Sequence, residues 1–169
     1  MFTDAALFVD YWKNVRQRTM RLLPLVPETD LEWTYAPGHF TFGDLFRHLA
    51  GIERGMYAET VEGRRSAYPG HGPELGSGVE GVRRYVTRAH EESVDVFSRL
   101  TPERLAEKCA TPSGTPITVW KWLRAMVEHE AHHRGQIYLM LGMRAVATPP
   151  IYGLTSEEVR ALSVAERKS

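Results

Sequence analysis

The chain has one cysteine, Cys109, among 169 residues. A lone thiol closes no intramolecular disulfide and builds no thiolate cluster around a metal. Charge of neither sign is in excess, with 21 Lys plus Arg against 21 Asp plus Glu. That balance removes the electrostatic footprint of a general nucleic-acid binder. No stretch approaches the ~18 consecutive apolar residues of a membrane-crossing helix. The start, Met1-Phe2-Thr3-Asp4-Ala5, lacks the basic and apolar regions of a secretory leader, so the expected address is the cytoplasm. No segment carries a long apolar–polar alternation. Only Glu107 to Thr115 reads as a short extended piece or hairpin, around Ser113-Gly114.

What is present is ordinary globular composition, 43% apolar and 25% charged. Length divided by about 150 residues predicts one domain over residues 1–169. A chain of this size buries roughly 70% of its unfolded surface and needs no staple. The unusual count is seven histidines to one cysteine. A metal in this chain would be held by imidazole and carboxylate.

Four segments show helical periodicity. The first runs from about Asp4 to Leu23, with Phe8, Tyr11, Trp12, Val15, Thr19 and Leu22 on one stripe; Pro24 and Pro27 end it. The second follows Thr41, a candidate N-cap, and runs to about Glu62 on Phe42, Leu45, Leu49, Ile52 and Met56. The third spans about Gly78 to Leu100. The fourth follows Thr118, a second candidate N-cap, and reaches about Met143 on Val119, Leu123, Met126, Ile137 and Leu141. Arg64 to Gly78, rich in Gly and Pro, reads as a surface loop. Thr155-Ser156-Glu157-Glu158 has capping-box spacing and predicts a short last helix. The class is all-α, a four-helix bundle whose first two long connections permit crossovers.

The histidines divide by position. His129 and His133 lie four apart in the fourth segment and share a face, which lets two imidazoles reach one ion. His133 falls within the apolar face and His129 at its edge, while His132 points elsewhere. Burying two unpaired imidazoles is costly, and a metal removes that cost. His48 borders the stripe of the second segment, three after Leu45 and four before Ile52. It would complete a three-His site with a position left for water or substrate. His39 and His71 sit in Gly/Pro-rich loops and are read as solvated. His90 is mid-helix. None of these three is expected to be a ligand.

Glu130 falls near the centre of the fourth apolar face. It is either the partner of an Arg or Tyr on another helix, an acceptor that orients an imidazole, or a catalytic proton acceptor for water at the metal. His129 to His133 also satisfies the zinc-protease pattern H-E-x-x-H, with Glu130 as base and Glu157 or Glu158 as third ligand. That reading lacks the substrate-aligning strand such enzymes use. Cys109 lies between the third and fourth segments and is given no role.

Leu45-Phe46-Arg47-His48-Leu49-Ala50-Gly51-Ile52-Glu53 resembles the second-helix motif of the DinB/YfiT-like superfamily. His129-Glu130-Ala131-His132-His133-Arg134-Gly135-Gln136-Ile137 resembles its fourth-helix motif, and Pro149-Pro150-Ile151-Tyr152-Gly153-Leu154 its tail. The resemblance spans nearly the whole chain. It implies a DinB-like four-helix bundle with a divalent metal on His48, His129 and His133, the last two being the pair that the helical wheel also selects. It leaves the ion open among Zn, Ni, Fe, Mn and Cu, with Zn or Ni leading. It further implies a homodimer and, in some members, a metal-dependent enzyme, a thiol S-transferase working with bacillithiol or mycothiol or a hydrolase, with a small-molecule substrate. The alternative is a non-catalytic, stress-associated bundle stabilised by its metal. Neither nucleic acid nor membrane is an expected partner.

Overall fold

A computed structural model describes residues 4–165, with side chains through residue 163. The leader-free reading of Met1 to Thr3 lies outside the described residues. Helix α1 (Ala5–Met20) starts at Asp4, whose carboxylate accepts from the Ala6 amide at 2.7 Å. It ends at Met20, three residues before the predicted Leu23. Pro24 has no N–H to continue the ladder, and its ring would meet the Met20 carbonyl four residues back. The chain tightens instead into a 3₁₀ turn, Leu23–Leu25.

Helix α2 (Phe42–Ile52) opens with a full capping box. The Thr41 hydroxyl accepts from the Asp44 amide, and the Asp44 carboxylate accepts from the Thr41 amide, each at 3.0 Å. The predicted helix to Glu62 is continuous but not uniform. It passes through a π-helical segment, Glu53–Ala58, before a last α turn, α3 (Glu59–Val61). Such widened turns interrupt the α ladder and recur at functional sites.

Helix α4 (Gly78–Ser98) is followed by a short helix, α5 (Pro102–Ala106), which periodicity is too short to reveal. Thr101 caps it, and Pro102 takes the first turn, where a missing N–H costs nothing. Strands β1 (Lys108–Ala110) and β2 (Pro116–Thr118) pair antiparallel with Cys109 opposite Ile117. The predicted hairpin is present, but Thr111 to Thr115 form its turn and the second strand lies beyond it. Gly114, at φ 85°, supplies the left-handed turn residue. Helix α6 (Val119–Met143) leaves directly from β2. Thr118 holds its N-cap position, yet its hydroxyl caps nothing. Helix α7 (Ser156–Ala165) carries the predicted box between Thr155 and Glu158, at 2.6 and 3.2 Å. Its described side chains are exposed.

The core is divided. One apolar cluster takes Phe8, Trp12 and Val15 of α1, Tyr57 and Val61, Val96 and Phe97 of α4, and Leu123 and Met126 of α6. The other takes Leu22 and Leu23, Leu45 and Phe46 of α2, Val82 and Val86 of α4, and Ile137 and Leu141 of α6. The order of the clusters along each helix sets direction. α1 and α6 run one way, α2 and α4 the other. The α2–α4 connection therefore crosses the length of the bundle. Between the clusters lies a buried polar layer to which all four helices contribute: Arg16 and Thr19, Glu53, Ser93, and Glu130, His133 and Arg134. Among the described residues no helix is long and apolar enough to cross a membrane.

Candidate metal centre

The three histidines chosen from the sequence meet at the edge of this polar layer. His48 comes from α2, and His129 and His133 from one face of α6. His129 Nε2 lies 3.1 Å from His48 Nε2 and 3.1 Å from His133 Nε2. One ligand atom from each falls within 4.8 Å of the others, and this is the grouping among the described residues that could hold a metal ion. Burial, reinforced by the neighbouring histidines, pushes the His48 pKa down to about 3 and the His129 pKa to about 4. Burial also lowers His133. All three rings are therefore neutral at pH 7, the state in which imidazole offers a lone pair to a cation. Their donor chemistry fits a divalent ion. His132 is exposed and outside the group, as its helical phase requires.

Two of the outer ring nitrogens, on His133 and His48, are held as well. His133 Nδ1 donates to Gln136 Oε1 at 2.6 Å, which leaves Nε2 as the free acceptor. His48 Nδ1 is 2.8 Å from the Tyr68 hydroxyl, which also lies 3.0 Å from His71 Nδ1. Phe40 packs on His48 at 5.0 Å and on His71 at 4.7 Å between ring centroids. Tyr68 reaches His48 because its loop is seated on glycines. The Ala67 amide donates to the Gly55 carbonyl at 2.6 Å, inside the π-helical segment. A Cβ on Gly55 would meet the Ala67 carbonyl oxygen at 2.8 Å, and one on Gly51 would meet the Tyr68 ring at 3.1 Å.

The DinB superfamily model matches residues 11–137, which include α2, its π-helical extension and all three histidines. The chain belongs to the DinB superfamily. Solved structures show the same fold. A DinB-like protein from Bacillus cereus ATCC 10987 is 18% identical, with a TM-score of 0.74, over 89% of this chain and 99% of that one. The DinB-like protein YjoA from Bacillus subtilis is 19% identical, with a TM-score of 0.72, over 88% of this chain and 99% of that one. No curated protein sequence matches the chain.

Within this DinB bundle the remaining histidines separate. His39 is exposed beside Tyr35. His71, expected to be solvated, is half-buried and joined to His48 through Tyr68. Nothing in the Gly/Pro-rich spacing of its loop could reveal this, because the seat is on another helix. His90 lies away from the cluster, with Nδ1 2.8 Å from Glu53 Oε1.

Glu130 is 1% exposed, and its carboxylate lies 3.3 Å from Arg16 Nη2. Of the roles open to it in the sequence, the partner of an Arg on another helix is the contact observed. Arg16 also bonds Glu53 at 2.6 Å, and Trp12 Nε1 donates to Glu53 at 2.6 Å. Burial pushes both carboxyls up. At Glu53 Arg16, His90 and Trp12 more than offset this, and its pKa falls below the usual range. At Glu130 burial prevails and the pKa is raised. Glu157 and Glu158 stand on exposed α7. Cys109, the middle residue of β1, is buried in the first apolar cluster, where burial raises its thiol pKa.

Proposed function

We propose that this DinB-superfamily chain is a divalent-metal protein whose ligands are His48, His129 and His133, and that it acts as a thiol transferase on a small-molecule electrophile. One observation carries the reading: three neutral imidazoles from two helices point ring nitrogens into one small volume. Three protein ligands leave a coordination position available. A bound Zn²⁺ or Ni²⁺ would act there as a Lewis acid, lowering the pKa of a thiol so that it reacts as thiolate.

The chain's own residues supply orientation. Gln136 fixes the His133 tautomer, Tyr68 holds His48 through Nδ1, and Phe40 covers the rings of His48 and His71. The burial of Glu130 against Arg16 disfavours the protease alternative, in which that carboxylate would face water at the metal. Purified protein should contain stoichiometric metal by elemental analysis, and His133→Ala should lose it. Metal content unchanged in that variant would exclude the assignment. Turnover of a low-molecular-weight thiol, abolished by chelator and restored by metal, tests the transferase step.

A second reading has its own support. The histidines join α2 to α6 at the level where the apolar core is interrupted. A metal there would stabilise the bundle without catalysis. Chelation would then lower the melting temperature sharply while no thiol is consumed.

A further inference from the structure

Among the described residues, one cation of the polar layer touches both ligand-bearing helices. Arg16 of α1 is 3% exposed. Its Nη2 donates to the Leu49 carbonyl at 3.3 Å and to Glu53 at 2.6 Å, and lies 3.3 Å from Glu130 Oε2. Leu49 follows His48, and Glu130 follows His129. A single guanidinium nitrogen therefore contacts the residue after each of two candidate ligands, on two different helices.

For stability alone this is a poor arrangement. Arg16 Nε and Nη1 are buried without hydrogen-bond partners. Unmatched buried polar atoms are costly, and apolar replacements of buried ion groups are often neutral or stabilising. A role in geometry accounts for charge kept at this level.

We propose that Arg16 is a positioning residue for the three-histidine centre. It holds α2 and α6 at the separation that sets the spacing of His48 and His129. Glu53 and Glu130 are the anchors through which it acts. The inference rests on the metal reading above and concerns only how the ligands are spaced.

Co²⁺ is the probe, because its visible absorption reports coordination geometry. Arg16→Met combined with Glu53→Gln and Glu130→Gln removes the three charges together and strands none of them. We expect this variant to melt, metal-free, close to the unsubstituted chain. Its Co²⁺ affinity should fall about tenfold or more, as when groups behind metal ligands are lost. Its Co²⁺ absorption should shift. Unchanged affinity and spectrum would overturn the proposal. Should the triple variant not fold, Glu130→Gln alone keeps the side chain's shape; it should move both readouts in the same direction, and unchanged readouts would likewise overturn it. Failure of the unsubstituted chain to bind either Co²⁺ or Zn²⁺ would remove the metal reading and this proposal together. That outcome is distinct because it appears before any substitution is made.

Discussion

His48 Nε2 and His129 Nε2 stand 3.1 Å apart although 81 residues separate them in the chain. Two neutral imidazoles at that distance can share one proton between them or face one cation together. The second arrangement requires both outer nitrogens to be held elsewhere or left to solvent. For His48 that holding group is Tyr68.

Removing a ligand should be far more damaging than removing its neighbour. His48→Ala should abolish tight Zn²⁺ binding in calorimetric titration. His132→Ala, one residue from His133 but exposed, should leave it unchanged. Equal effects of the two would contradict the cluster.

Tyr68→Phe deletes only the hydroxyl that meets His48 Nδ1 at 2.8 Å. Zn²⁺ affinity should fall by about 10- to 100-fold, with little change in metal-free stability. Competition against a chelator of known affinity measures it. An unaltered affinity would show that the contact does not orient the ring.

Acid should weaken the metal-free fold. The folded chain keeps His48 neutral to about pH 3 and His129 to about pH 4. The unfolded chain takes up those protons near pH ~6.5. Below that point the unfolded state binds more protons, so stability is lost as pH falls. The urea midpoint of metal-free protein should be lower at pH 5 than at pH 7.5. Metal should leave in the same direction, since protons compete for the same nitrogens.

Gly55→Ala should lift the loop that carries Tyr68. Its Cβ would lie 2.8 Å from the Ala67 carbonyl oxygen and 3.1 Å from Tyr68 Cα, both backbone atoms with little room to yield. A cost of about 1–3 kcal/mol is expected. Faster trypsin cleavage at exposed Arg64 and Arg65 would register the displacement. A cleavage rate equal to that of the unsubstituted chain would count against the seat.

Glu53→Ala should be among the most destabilising single changes in the polar layer. It removes the closer of the two carboxylates paired with buried Arg16, together with the acceptor for Trp12 and the partner of His90. Losing one member of a buried ion pair costs about 3–5 kcal/mol. Equilibrium urea unfolding measures the loss, and a change under ~1 kcal/mol, the size of a surface ion pair, would refute it.

Periodicity is a local property, and what it governs was legible in the residues themselves. The stripes of α1, α2, α4 and α6, the N-cap at Thr41, the box at Thr155, and the shared face of His129 and His133 follow from about 3.6 residues per turn and from capping chemistry. So does the exclusion of His132. The same spacing placed His48 at the edge of its stripe, where a neighbouring helix could meet it. Tertiary packing alone decided which helices meet and in what register. It brought His48 to His129, laid the loop of Tyr68 and His71 over Gly51 and Gly55, and turned Glu130 toward Arg16. It also widened the backbone at Glu53–Ala58, leaving the Gly55 carbonyl to accept the loop's amide. These contacts join residues far apart in the chain, so their energies depend on the shape of the opposing surface, which no local spacing encodes.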